Sequence, residues 1–154
     1  MISKLKITTA LAGLVLVAGV VLTPMTAFAQ SSPNIGLRTN RINHLKERVE
    51  KMDKADDQLM SLSAKLQDKI NTLANQGKDV TSLQNLLSDM KSKLADASTQ
   101  YEKAKGLLNT IQSADSNFKD EISQIRTDVK AGAQDLKAAR SDRKQIRQGL
   151  QALR

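Results

Sequence analysis

Leu83-x-x-x-Leu87-x-x-Met90-x-x-x-Leu94-x-x-Ala97-x-x-x-Tyr101-x-x-Ala104-x-x-x-Leu108-x-x-Ile111 alternates steps of four and three residues without a break. Every residue on that list is apolar or aromatic. Such a row lies along one side of an α-helix and forms the seam of a helix packed lengthwise against others. The same spacing is present on both sides of it. Upstream, Ile42, Leu45, Val49, Met52, Leu59, Leu66, Ile70 and Leu73 make a second seam, interrupted by Asp56 and Ser63. Downstream, Phe118, Ile122, Ile125, Val129, Leu136, Ala139, Ile146, Leu150 and Leu153 make a third, interrupted by Gly132 and Arg143. No proline follows Pro33, and Ala, Leu, Lys, Gln, Asp and Ser dominate, which is a helix-forming composition.

The boundaries follow from local chemistry. Asn75-Gln76-Gly77 ends the first helix, since glycine takes the left-handed conformation that closes a helix. Asp79 or Thr81 then opens the second, and Thr81 and Gln84 have capping-box spacing. Ser113-Ala114-Asp115-Ser116-Asn117 carries side chains that compete for backbone hydrogen bonds and favour a turn. The predicted fold is all-α: a long three-helix, up-down-up antiparallel bundle with helices over residues 37–75, 81–112 and 116–154, after a short linker at 30–36. The alternative keeps helices two and three continuous, because Ile111 and Phe118 are in the same heptad phase. That rod would be about 110 Å long and would need a partner chain, giving an oligomeric coiled coil rather than a monomer.

The N-terminus carries a different pattern. Lys4 and Lys6 form a basic head, residues 7–22 are largely apolar, Pro24 follows, and Ala27-Phe28-Ala29 precedes Gln30. This is the layout of a secretory signal peptide over residues 1–29, with small residues Ala27 and Ala29 at the cleavage site and the exported chain starting at Gln30. Retention as a membrane anchor is the alternative; the apolar run is short against the ~20 residues a span needs. No cysteine follows the run, which excludes a lipidated anchor. The expectation is an exported protein: periplasmic, extracellular or on the cell surface.

Composition excludes much chemistry. The 154-residue chain has no cysteine, one histidine and a formal charge of +8. Thiol catalysis, disulfide scaffolds and cysteine-bound metals are ruled out. His44 falls at a water-facing heptad position. No Gly-rich phosphate loop, GxSxG or HExxH motif is present. No enzyme activity, cofactor, metal or small-molecule substrate is expected.

Two features rise above the heptad text. The first is the polar break at Asp56. If the helices fold back at Gly77 and Asp115, Tyr101 lies level with Asp56 and Val129, and Ala97 lies level with Leu59 and Gly132. A Tyr101–Asp56 hydrogen bond would then fix the register of the bundle. The second is a basic stripe. Lys119, Arg126, Lys130, Lys137, Arg140, Lys144, Arg147 and Arg154 all occupy one side of the last helix. Such a row is either a track for a polyanion or a solvated face partly neutralised by acids of the first helix. The first helix holds Glu47, Glu50, Asp53, Asp56 and Asp57 among Lys46, Arg48, Lys51 and Lys54. The stripe contains no aromatic residue on which bases would stack, and export argues against a nucleic-acid partner.

Certain local strings are similar to those of a known class. Arg41-Ile42-x-x-Leu45, Gly77-Lys78-Asp79-Val80 between two Leu-rich helices, Ala138-Ala139-Arg140 and Leu150-Gln151-Ala152-Leu153-Arg154 follow a signal peptide in that order. In this the chain resembles small secreted bacterial helical-bundle, coiled-coil-like proteins of uncharacterised function. The resemblance implies a helical hairpin or three-helix bundle and no particular activity. The functional expectation is a secreted or envelope structural or interaction protein without catalysis, partnered by a protein or an anionic envelope component. The alternative is a polyanion- or membrane-surface-binding module working through the stripe.

Overall fold

The computed structural model describes residues 33–153, which form three helices: α1 (Pro33–Asn75), α2 (Thr81–Thr110) and α3 (Phe118–Ala152). The expected signal peptide, its expected cleavage site at Ala27, Ala29 and Gln30, and Arg154 lie outside the described residues. All three helix pairs are in contact, most extensively α2 with α3 and least α1 with α3. Lys105 meets Asp53 and Lys91 meets Gln67, so α2 runs antiparallel to α1. Lys93 meets Asp142 and Tyr101 meets Gly132, so α3 runs antiparallel to α2. The up-down-up bundle is therefore present, and the continuous α2–α3 rod is not.

The seams are the core. All of Leu83, Leu87, Met90, Leu94, Ala97, Tyr101, Ala104 and Leu108 are buried, and so are Phe118, Ile122, Ile125, Val129, Leu136, Ala139, Ile146 and Leu150 on α3. On α1 the core residues are Ile42, Leu45, Val49, Leu59, Leu66 and Ile70, with Met52 and Leu73 at its edge. Each fully buried large aliphatic side chain stabilises the bundle by about 1.5–3 kcal/mol. The two polar breaks on α1 are buried with them: Asp56 and Ser63. Ser63 bonds the Met60 carbonyl, one turn back along its own helix, at 2.7 Å.

The first turn is closed by backbone chemistry. Gly77 has φ +76°, its N–H donates to the Ala74 carbonyl, and the Lys78 N–H donates to the Leu73 carbonyl. This pair of bonds is a Schellman closure, and it satisfies two carbonyls that would otherwise be orphaned. The second turn holds Ile111 in extended conformation, and the Asp115 carboxylate accepts the Gln112 N–H at 2.6 Å. Arg38 of α1 reaches this loop, donating to the Ser113 carbonyl and lying 4.9 Å from the Phe118 ring centre.

Four expectations are corrected. First, α1 starts at Pro33, so most of the expected linker is helical; proline suits the first helical position because its missing N–H has no intrahelical partner there. The inner ends at Thr110 and Phe118 likewise differ by two residues from those expected. Second, the Thr81–Gln84 capping box does not form. The Thr81 N–H is taken by Asp79 Oδ1 at 3.0 Å, and the Gln84 N–H by the Val80 carbonyl. Third, Tyr101 packs on Gly132 rather than level with Val129, a slip of about one helical turn. Fourth, no hydrogen bond joins Tyr101 to Asp56: the Tyr101 hydroxyl and Asp56 Oδ1 are both buried without a partner. The Tyr101 ring lies against Gly132 of α3, although the α1–α2 contacts keep Tyr101 level with Asp56.

Candidate polyanion-binding groove

Heptad geometry sorts charge around α3. Glu121, Asp128, Asp135 and Asp142 recur every seven residues and form one acidic column, buried or half-buried. It faces α2. Asp142 is paired with Lys93 at 2.7 Å. The carboxyl of Asp135 is held above its ordinary range by burial and by the charge of Asp96 on α2, against the pull of Lys93. Asp128 accepts from Gln124, one turn back on its own helix. With the acids on that flank, the flank toward α1 is left to cations. Lys119, Arg126, Ala133, Arg140 and Arg147 form a column with the same seven-residue period.

Helix α1 sorts its charges in the same way. Asp53 turns to α2 and pairs with Lys105 at 2.8 Å. Glu47, Glu50 and Asp57 are exposed. The column toward α3 reads Arg41, Arg48, Ala55, Leu62, Lys69, again every seven residues. The two columns run parallel and in phase, and each has its alanine near the middle.

Because α1 and α3 have the thinnest contact of the three pairs, a groove stays open between them. Near its N-terminal end Arg41 faces Lys119 and Arg126 across a floor of Phe118 and Ile122. Next, Arg41, His44 and Arg48 face Arg126 and Lys130 over Leu45 and Val129. Toward the other end Lys65 and Lys69 face Arg143 and Arg147 over Leu62, Leu66 and Leu150. Arg140, Lys144 and Gln148 continue the α3 wall outward. No carboxylate lines these clefts. These cationic clefts thus lie toward the two ends of the α1/α3 seam, with Arg41 and Lys69 about 42 Å apart along α1.

The structure thus brings together Lys119, Arg126 and Lys130 in one half, and Arg140, Lys144 and Arg147 in the other. Lys137 is exposed but lines none of these clefts. None of the described stripe residues forms an ion pair, and the described ion pairs use only Lys93 and Lys105 of α2. No carboxylate of α1 forms an ion pair with the described stripe residues. Instead α1 supplies a second cationic wall. Arg41, Arg48, Lys65 and Lys69 were hidden in the sequence by their acidic neighbours; the signal was the seven-residue phase of Arg41, Arg48 and Lys69, a period shared with the α3 column.

In mid-bundle the buried polar layer is a separate feature. Burial, and then the charges of Asp57 and Asp53, push the Asp56 carboxyl up to about 6. The Tyr101 hydroxyl is pushed up too, chiefly by burial and then by Asp56 and Asp135, with Arg140 and Arg48 pulling the other way. Among the described residues no three His, Cys, Asp or Glu side chains gather as metal ligands, and no helix is long and apolar enough to cross a membrane.

No known protein family matches the chain, and neither a curated protein nor a solved structure is detectably similar to it.

Proposed function

We propose that the protein is an exported, non-catalytic binding module whose α1/α3 groove holds a linear polyanion of the cell envelope. The observation that carries this reading is the pair of in-phase cationic walls with no carboxylate between them. A concave site lined by one sign of charge, with low-dielectric walls, focuses its field and concentrates counter-ions along its length. Cations seven residues apart, such as Arg41 and Arg48 or Arg140 and Arg147, stand about 10 Å apart along their wall, and a repeating chain of phosphates or carboxylates suits such rows better than a single compact anion. The one aromatic ring in the groove, Phe118, is covered by Arg38, so base stacking offers little and a nucleic acid is the poorer fit. The export half of the proposal rests on the N-terminal pattern of basic head, apolar run and Ala27-Phe28-Ala29.

The test is binding of long-chain inorganic polyphosphate and of poly-glutamate to residues 30–154, followed at rising salt. Binding at low ionic strength that weakens steeply with salt is expected. Reversal of charge at Arg41 and Arg126 should abolish it while leaving helicity unchanged. Absence of salt-sensitive binding by the unmodified chain would overturn the reading. A scaffold docking a protein partner is the second reading, and the exposed Ile35 and Leu37 at the start of α1 favour it.

A further inference from the structure

The α3 seam has two exceptions to its apolar rule, Gly132 and Arg143. Gly132 has a structural reason, because Tyr101 occupies the space a side chain would need. Arg143 has none within the bundle. It is half-buried, it forms no ion pair, and its Nε is shielded from solvent without a hydrogen-bond partner. An N–H donor shielded from water and left unpaired is costly, and the Arg143 side chain lines a cleft from which a partner could come. The residue lines the cleft at the C-terminal end of the groove, a space of about 410 Å³, within the usual range for small-ligand pockets of roughly 300–1,000 Å³.

The cleft has two kinds of wall. Leu62, Leu66 and Leu150 form an apolar floor, and Lys65, Lys69, Arg143 and Arg147 form a rim of four cations. A second cleft of about 300 Å³ adjoins it, sharing Lys69 and Leu150 and extending the floor over Leu73 and Leu153 to the end of the bundle. The apolar strip from Leu62 to Leu73 is about 16 Å long. It is half-covered by its own bundle and has cations along one edge.

We infer that this cleft binds a single-chain anionic amphiphile, with the acyl chain along the Leu62–Leu150–Leu73 floor and a phosphate or carboxylate head between Arg143, Arg147, Lys65 and Lys69. A second copy of the chain is a poor occupant, because two strongly basic surfaces would face each other. A neutral apolar ligand would leave the Arg143 guanidinium unpaired. An inorganic anion would leave the leucine floor wet. Only a ligand with both parts matches both walls. The inference goes beyond the polyanion reading and does not require it: the cations at the N-terminal half, Arg41, Lys119 and Arg126, take no part.

The test is calorimetric titration of residues 30–154 with dodecyl phosphate, dodecanoate, inorganic phosphate and dodecyl maltoside, each below its micelle concentration. One dodecyl phosphate or dodecanoate should bind per chain, at least tenfold tighter than either inorganic phosphate or the maltoside. The phosphate and carboxylate arms distinguish the two head groups. Shortening the chain should weaken binding about 2–4-fold per methylene removed. Arg143→Gln with Arg147→Gln should weaken it at least tenfold. Lys65→Gln with Lys69→Gln, on exposed positions that cannot unfold the bundle, should also weaken it. Arg41→Gln with Arg126→Gln should not. Equal affinity for inorganic phosphate, equal affinity for the maltoside, or indifference to the Arg143, Arg147, Lys65 and Lys69 changes would each overturn the inference. Polyphosphate binding lost through Arg41 and Arg126 alone would leave the polyanion reading standing without it, and the two failures are therefore separable.

Discussion

The ring of Tyr101 rests on Gly132 so closely that a Cβ at residue 132 would stand 2.5 Å from Cε1 and 2.8 Å from Cζ. Tyr101 is fully buried, so the ring has nowhere to go. A mid-helix glycine costs about 1 kcal/mol relative to alanine, and here the cost is offset by the aromatic packing it permits. Gly132→Ala should therefore destabilise the bundle by about 1–3 kcal/mol, despite the gain in helix propensity. Gly149 is the control. A Cβ there meets Leu83 Cδ2, the far end of a flexible side chain. Gly149→Ala should change stability by less than about 1 kcal/mol. Denaturant unfolding of the two variants, followed by circular dichroism, makes the comparison.

Asp56 places a carboxylate in the same core, and its cost depends on pH. Its folded value of about 6 lies above the ordinary 3.8, because burial and the neighbouring Asp57 and Asp53 disfavour the charge. The stability contributed by protonated Asp56 is complete below about pH 4 and is lost as the pH rises through about 6. Near neutrality the chain carries an ionised group that opposes folding. Asp56→Asn should raise stability near pH 7 by about 1–3 kcal/mol and flatten the dependence between about pH 4 and 6 relative to the unmodified protein. Urea midpoints measured across that range would show it; a variant that is less stable near pH 7 would contradict the assignment.

The fold was legible because one signal was redundant. The nine-residue seam of α2 lies entirely in the core, and the Gly77 closure needed only a residue able to adopt a positive φ. Register was not legible to better than a turn. The heptad phase is the same before and after the second loop, so the phase says nothing about how many residues the loop consumes. The seven residues from Ile111 to Asn117 decide it, through the Asp115–Gln112 bond and the hold of Arg38 on Ser113. Half of the groove was legible as the α3 stripe. The α1 half was not, since Arg41, Arg48, Lys65 and Lys69 are diluted in the linear sequence by acids that the helix carries to other faces. Arg143 registered only as an error in the seam.

Lys93 and Asp142 show what the acidic column does for the bundle. The Asp142 side chain is 9% exposed and the Lys93 side chain 34%, with Nζ and Oδ2 2.7 Å apart. Removing the lysine leaves a nearly buried carboxylate without its partner, whereas removing both leaves an apolar contact. Lys93→Met should destabilise by about 1–2 kcal/mol, discounted for the exposure of the lysine. Lys93→Met with Asp142→Leu should recover most of that loss. The two changes should couple in a double-mutant cycle, and strict additivity would show that the pair contributes nothing beyond its separate surfaces. Polyphosphate binding should be unaffected by the single lysine change, because Lys93 lies on α2, at the α2–α3 seam and outside the α1/α3 clefts.

The groove itself should leave a mark on stability before any ligand is added. Arg41, Arg48, Lys119, Arg126 and Lys130 share one concave surface with no carboxylate among its lining residues. Like charges at such spacing repel, and the repulsion is present only when the helices are packed. Salt screens it, with a Debye length of about 30 Å at 0.01 M and about 8 Å at 0.15 M. The melting temperature should therefore rise between those two salt concentrations, where a bundle held by surface ion pairs would lose stability. Arg126→Gln, which removes one of the two cations common to both N-terminal clefts, should raise the melting temperature at low salt and shrink the salt response. Polyphosphate should raise it further than sodium chloride of equal ionic strength, because a ligand that binds only the folded chain adds RT ln(1 + [L]/Kd). With Arg126→Gln that extra increment should fall. A melting temperature that drops with salt would show that the groove cations are already neutralised, and would remove the electrostatic basis for a polyanion site.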